Sequence, residues 1–140
     1  MRNTYSTNLN LASVDFGLLF FRIAISGLML THGIPKLIKM FGSDPIRFAD
    51  PLGVGEVTTF TFAVLAEFLC SVLVMLGLGT RLAVIPLIMT MAVAALVVHV
   101  PDGFAKQELP LLFCSGFILL LFTGAGKYSL DHYFLLSKKK

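Results

Sequence analysis

Four side chains near the ends of apolar runs have the means to hold a polar ligand or pass protons: His32, Lys36, His99 and Glu108. An imidazole titrates near neutral pH and both donates and accepts hydrogen bonds, so a pair of them suits the carbonyl oxygens of a quinone. His32 and Lys36 stand at i and i+4, on one face of a helix. Pro35 between them lacks an amide hydrogen and disfavours helix at Ile34, so a kinked or broken turn is expected beside His32, opening a pocket. Phe48, Phe60 and Phe104 are its expected apolar walls. Two imidazoles also begin a metal site, but such a site needs further ligands and only Glu108 and Asp102 stand near, so no metal is expected. A structural reading, in which each histidine caps a helix end, accounts for the same residues and stays open beside the functional one.

Two more charges lie inside apolar runs. Arg22 and Glu67 fall where a plain membrane span has none, and a charge at that depth costs upward of about 2.5 kcal/mol unless it is paired or wet. Counting along the helices puts Arg22 about 10 Å and Glu67 about 16 Å from the same end of the bundle. A long arginine side chain covers that difference, so an intramembrane Arg22–Glu67 ion pair is expected, whether it serves function or only fixes helix register.

The elements that must position these groups follow from composition. The chain has 140 residues, 56% hydrophobic and 14% charged, with a mean hydropathy of +0.87; soluble domains carry about a quarter charged residues. Apolar runs over 16–37, 57–78, 82–100 and 109–123 approach the ~20 residues that a helix needs to cross hydrocarbon, the last with help from its flanks. The segments of about ten alternating residues that mark a membrane barrel are missing. The chain therefore reads as one all-α domain over residues 1–140, a four-helix transmembrane bundle. No small-residue cleavage pattern follows the first run, so that helix is expected to stay in the mature protein.

Loops and caps fill in the rest. The stretch around residues 42–56, with Pro45, Pro51, Gly53 and Gly55, is expected to be a partly structured cap. Gly77 and Gly79 are expected to end the second helix, the Thr80 hydroxyl to cap the third, with Arg81 at the cytoplasmic interface, and Pro110 to start the fourth. Ser129 reads as the cap of a short interfacial helix carrying Tyr128 and Tyr133. Cys70 and Cys114 lie at different depths and are expected to stay apart as thiols. With both termini on one side, that side collects Arg2, Arg81, Lys127, Lys138, Lys139 and Lys140, against Lys36, Lys39, Arg47 and Lys106 on the other. Positive charge is retained on the cytoplasmic face, so both termini are expected to be cytoplasmic. The net charge of +3 is explained by lysines beside anionic lipid and calls for no nucleic acid.

Taken together, Arg22, His32-Gly33 with Pro35-Lys36, Glu67, Gly79-Thr80-Arg81, His99-Val100-Pro101-Asp102-Gly103-Phe104, Glu108 and Tyr128-Ser129-Leu130-Asp131 resemble the DoxX family of four-helix membrane proteins. The resemblance runs from Phe16 to Asp131 and rests on order and spacing rather than on any one motif. It implies an integral protein of the bacterial inner membrane. As a lead, it also implies a quinone-binding or redox-linked membrane subunit, the family being named for likeness to the membrane subunit of a thiosulfate:quinone oxidoreductase. Quinone is the one cofactor so implied, and partner redox subunits or a homo-oligomer the company. The chain holds no Cys-x-x-Cys and no glycine-rich dinucleotide fingerprint, so catalysis by this chain alone is not expected. The other class of function is a non-catalytic anchor within a larger membrane complex.

Overall fold

The computed structural model describes residues 10–137; Arg2 and the three terminal lysines used in the charge count lie outside them. Four helices are long and apolar enough to cross a membrane: α1 (Leu11–Met40), α2 (Glu56–Leu76), α3 (Thr80–Val98) and α4 (Phe104–Thr123). A fifth, α5 (Leu130–Ser137), follows after a glycine-rich turn.

α1 starts earlier than its hydrophobicity suggests, because the Asn10 side chain accepts a hydrogen bond from the Ala12 amide at 3.2 Å and caps it. It then runs through Pro35 to Met40 without a break, so the expected opening at Pro35 does not form. Pro35 withholds the amide that would pair with the Thr31 carbonyl, yet apolar turns on both sides carry the helix on, as membrane helices allow. α4 likewise begins at Phe104 and takes Pro110 inside it rather than at its start. The fourth span thus reaches 20 residues by taking in the flank before Leu109, as its short apolar run requires.

Two spans depart from the α-helical ladder. α2 is wound as a π-helix over Leu65–Cys70 and α3 over Ala94–Val98. Such wide turns displace the side chains they carry and concentrate at functional sites. The first holds Glu67, and the second ends at His99. Gly33 explains how α1 meets the first one: a Cβ there would stand 2.6 Å from the Glu67 carbonyl oxygen, so only glycine lets the two backbones touch.

Ile25, Met29, Val74, Val84, Leu87, Phe113, Phe117 and Leu120 fill the centre of the bundle. Phe20, Leu82, Leu112 and Phe122 point outward among many other exposed apolar side chains, a surface suited to hydrocarbon rather than water. Between α1 and α2 the chain is organised by Asp50. Its carboxylate accepts from the Val54 amide (3.0 Å), the Gly55 amide (2.8 Å) and the Thr59 hydroxyl (2.8 Å). The Thr59 hydroxyl first, and the Gly55 amide next, hold this carboxyl below the usual aspartate range. Phe48 packs edge-on against Phe60 with ring centres 5.2 Å apart, so the segment lies down as a cap. At the far end the Ser129 hydroxyl accepts from the His132 amide at 3.3 Å and caps α5.

Candidate functional site

Lys36 leaves α1 one turn beyond the Gly33 contact, and helical side chains lean toward the N-terminus of their own helix. Its ammonium therefore dips back along α1, where it donates to both oxygens of Glu67, each at 2.5 Å. Glu67 is 3% exposed and Lys36 28%. The buried carboxylate is thus neutralised by a cation that keeps one edge free.

The expected Arg22–Glu67 pair does not form. Arg22 is 2% exposed and turns the other way. Its Nη1 donates to the Ala125 carbonyl and its Nη2 to the Tyr128 carbonyl, both at 2.8 Å. Gly77, in the left-handed conformation at φ 71°, leaves room for the guanidinium, which a Cβ would strike. The first turns of α1 run past the ends of α2 and α4, with Asp15 accepting from the Lys127 amide at 3.0 Å, so Arg22 stands level with the turns that follow those helices, where unpaired helix-end carbonyls are plentiful. Glu67 is far from there and takes the cation that the Gly33 contact brings close.

Around the Lys36–Glu67 pair lies a half-enclosed cavity of about 260 Å³. α1 contributes Met29, His32 and Lys36; α2 contributes Glu67; α3 contributes Met91, Ala94 and, just after it, His99; α4 contributes Lys106, Leu109, Pro110 and Phe113. His32, Lys36 and His99 thus come to one cavity. Glu108 does not: it is exposed and outside the walls, because α4 begins at Phe104 and its first turns point Lys106 and Leu109 inward instead. Phe48, Phe60 and Phe104 are not in the walls either. Phe48 lies under the Lys36 ammonium at 5.7 Å and Phe60 under that of Lys39 at 5.9 Å, while Phe104 is 68% exposed. The ring partner of His32 is Phe113, edge-on at 5.9 Å.

By sequence Asp102 stands near the histidines as a possible metal ligand. In the structure its Oδ2 lies 2.9 Å from His99 Nδ1, a contact that the i, i+3 spacing across the turn could have suggested. That contact favours a proton on Nδ1 and leaves Nε2 as an acceptor. Among the described residues no three His, Cys, Asp or Glu side chains gather as a metal site would require. Cys70 and Cys114 are free thiols. The arrangement can accept a proton at His99 Nε2, donate one from the Lys36 ammonium or a histidine N–H, and seat a flat ring between Met29, Met91, Leu109 and Phe113.

A family model described as DoxX matches residues 17–100. An uncharacterized membrane protein of Mycobacterium tuberculosis is 32% identical over 127 residues, spanning 79% of this chain and 76% of its own length. An uncharacterized protein of Haemophilus influenzae is 31% identical, spanning 84% of this chain and 90% of its own. No solved structure matches.

Proposed function

Because this chain belongs to the DoxX family of membrane proteins, we propose that it is a quinone-binding, redox-linked membrane subunit whose ligand enters the cavity between His32 and His99. The observation that carries this reading is the meeting of two imidazoles, a lysine–glutamate pair and Lys106 in one cavity whose remaining walls are apolar. Ligand sites are typically apolar with a few placed polar groups, and about 260 Å³ lies just under the usual range of roughly 300–1,000 Å³, enough for a ring head with its tail left in lipid.

A bound quinone would supply the two-electron chemistry; the protein's part is to hold its oxygens and move protons. Lys36 and His32 are the donors to one side of the ring and His99 the group at the other. Asp102 is 52% exposed by side chain and His99 34%, so together they form a short relay from the aqueous edge to the cavity. Electrons would come from a partner subunit. The site is read as opening at the outer face of a bacterial inner membrane, with both termini cytoplasmic. The bacterial sources of the relatives and the lysine distribution support that reading.

Titrating a menaquinone or ubiquinone analogue into the purified protein tests it, with His32→Ala/His99→Ala in the same detergent as comparison. Saturable binding to the wild type, weakened at least about tenfold in the double variant, is expected for two lost polar contacts. Equal, non-saturable partitioning into both would overturn the quinone site and favour a non-catalytic anchor, in which Lys36–Glu67 serves only to join α1 and α2.

A further inference from the structure

We propose that the opposite end of the bundle carries a second site, for the phosphate of a membrane phospholipid headgroup. A cavity of about 560 Å³ opens there between the start of α3, the turn after α4 and α5. Arg81 forms one wall. Its Nη2 donates to the Phe122 carbonyl at 3.3 Å, which uses one of the five N–H donors of a guanidinium and leaves the others free. The side chain lies along the turn at Gly124, where even a Cβ would meet it at van der Waals distance, 3.4 Å from Arg81 Nε and 3.6 Å from Nη2.

His132, from α5, lines the same cavity, and its ring makes no hydrogen bond among the described residues. The carboxylate in the lining, Asp131, is already committed. Its Oδ1 accepts from the Gly79 amide at 2.7 Å and its Oδ2 from the Thr80 amide at 3.1 Å, so its charge is balanced by the positive end of α3. What remains to meet a ligand is the Arg81 cation and the His132 ring, a pairing that suits one phosphodiester anion. Leu82, Phe134 and Leu135 edge the same cavity and are 75%, 50% and 64% exposed. An apolar rim beside a cation at the end of a membrane span is suited to a lipid, acyl chains against the rim and phosphate at Arg81, rather than to a soluble phosphate.

Native mass spectrometry of the whole protein, delipidated in neutral detergent and titrated with phosphatidylglycerol, tests the site. A galactosyl diacylglycerol, which lacks phosphate, is the parallel probe. One phosphatidylglycerol is expected to be retained roughly tenfold more tightly than the glycolipid, and Arg81→Gln/His132→Gln to lose that margin. Lys127→Gln, an exposed cation at the same end but outside the cavity, should change retention by less than about twofold. Thermal melting of each variant checks that the bundle is intact, and His132→Gln alone, expected to bind more weakly, serves should Arg81→Gln melt early. Unchanged retention in the double variant would overturn the site. So would equal loss in Lys127→Gln, which would mean diffuse surface charge, equal retention of the glycolipid, or displacement by glycerol 1-phosphate, which would make the ligand soluble.

Discussion

Lys36 and Glu67 are unequal partners, and the inequality sets how each variant should behave. Glu67 is 3% exposed, whereas the lysine, at 28%, has an exposed edge and a flexible stem. Lys36→Met leaves a carboxylate stranded in the bundle and should cost about 3–5 kcal/mol. Glu67→Gln should cost less, since the freed ammonium can swing toward headgroups. Lys36→Met/Glu67→Leu should recover most of the loss, because replacing both members of a buried pair by apolar residues is often nearly neutral. Thermal melting of the four proteins in one detergent measures this; if Lys36→Met melts like the wild type, the pair contributes nothing to stability. Sequence alone marked both Arg22 and Glu67 as groups in need of partners. It could not choose them, since hydropathy carries no axial offset between helices, and the first turns of α1 run past the ends of α2 and α4. The acceptors of Arg22 are backbone carbonyls more than a hundred residues away, and carbonyls leave no mark in a list of side chains.

The two π turns and the glycine that meets one of them do at the level of elements what no single side chain does. Gly33→Ala would drive a methyl into the Glu67 carbonyl and should cost about 1–3 kcal/mol by pushing α1 off α2. It should also loosen Lys36 from Glu67, so that a later Lys36→Met costs less in that background than in the wild type. A melting series of the two single variants and the double variant reads both effects, and additive losses would show that Gly33 does not set the pair. The outer cap has its own signature. Asp50 has a folded-state pKa below its unfolded value, so its contribution to loop stability is present above about pH 3.9 and is lost as pH falls through the lower folded value. The amide resonances of Val54 and Gly55 should therefore hold steady from neutral pH down to about 5 and move together only below about 3.9; movement near neutrality would mean that Asp50 does not hold the turn. Hydropathy located all four spans because apolar length is a direct consequence of the bilayer. The π turns were invisible to it, since winding i to i+5 leaves the apolar content of a segment unchanged.

The whole molecule has two unlike ends: a histidine-lined cavity over the Lys36–Glu67 pair, and an arginine end where Arg22, Gly77, Asp131 and α5 close the bundle. This changes how its charges vote on orientation. Lys36 is consumed inside the bundle by Glu67, so among the described residues the histidine end keeps Lys39, Arg47 and Lys106 as its other cations, with Arg81 and Lys127 at the opposite end. Arg22 adds to that second group, because its guanidinium reaches the turn after α4. The bias is therefore steeper than loop counting alone gives, and it favours holding the arginine end in the cytoplasm. Reporter fusions that are active only outside the cytoplasm, joined after Lys140 and inserted near Asp50, should be silent at the first position and active at the second. Exchanging Lys39 and Arg47 for glutamine should leave that result intact, while removing Arg81 and Lys127 together with the terminal lysines should begin to populate the inverted form. Activity after Lys140 in the wild type would turn the molecule over and place the histidine cavity, with its Asp102 relay, at the cytoplasmic surface.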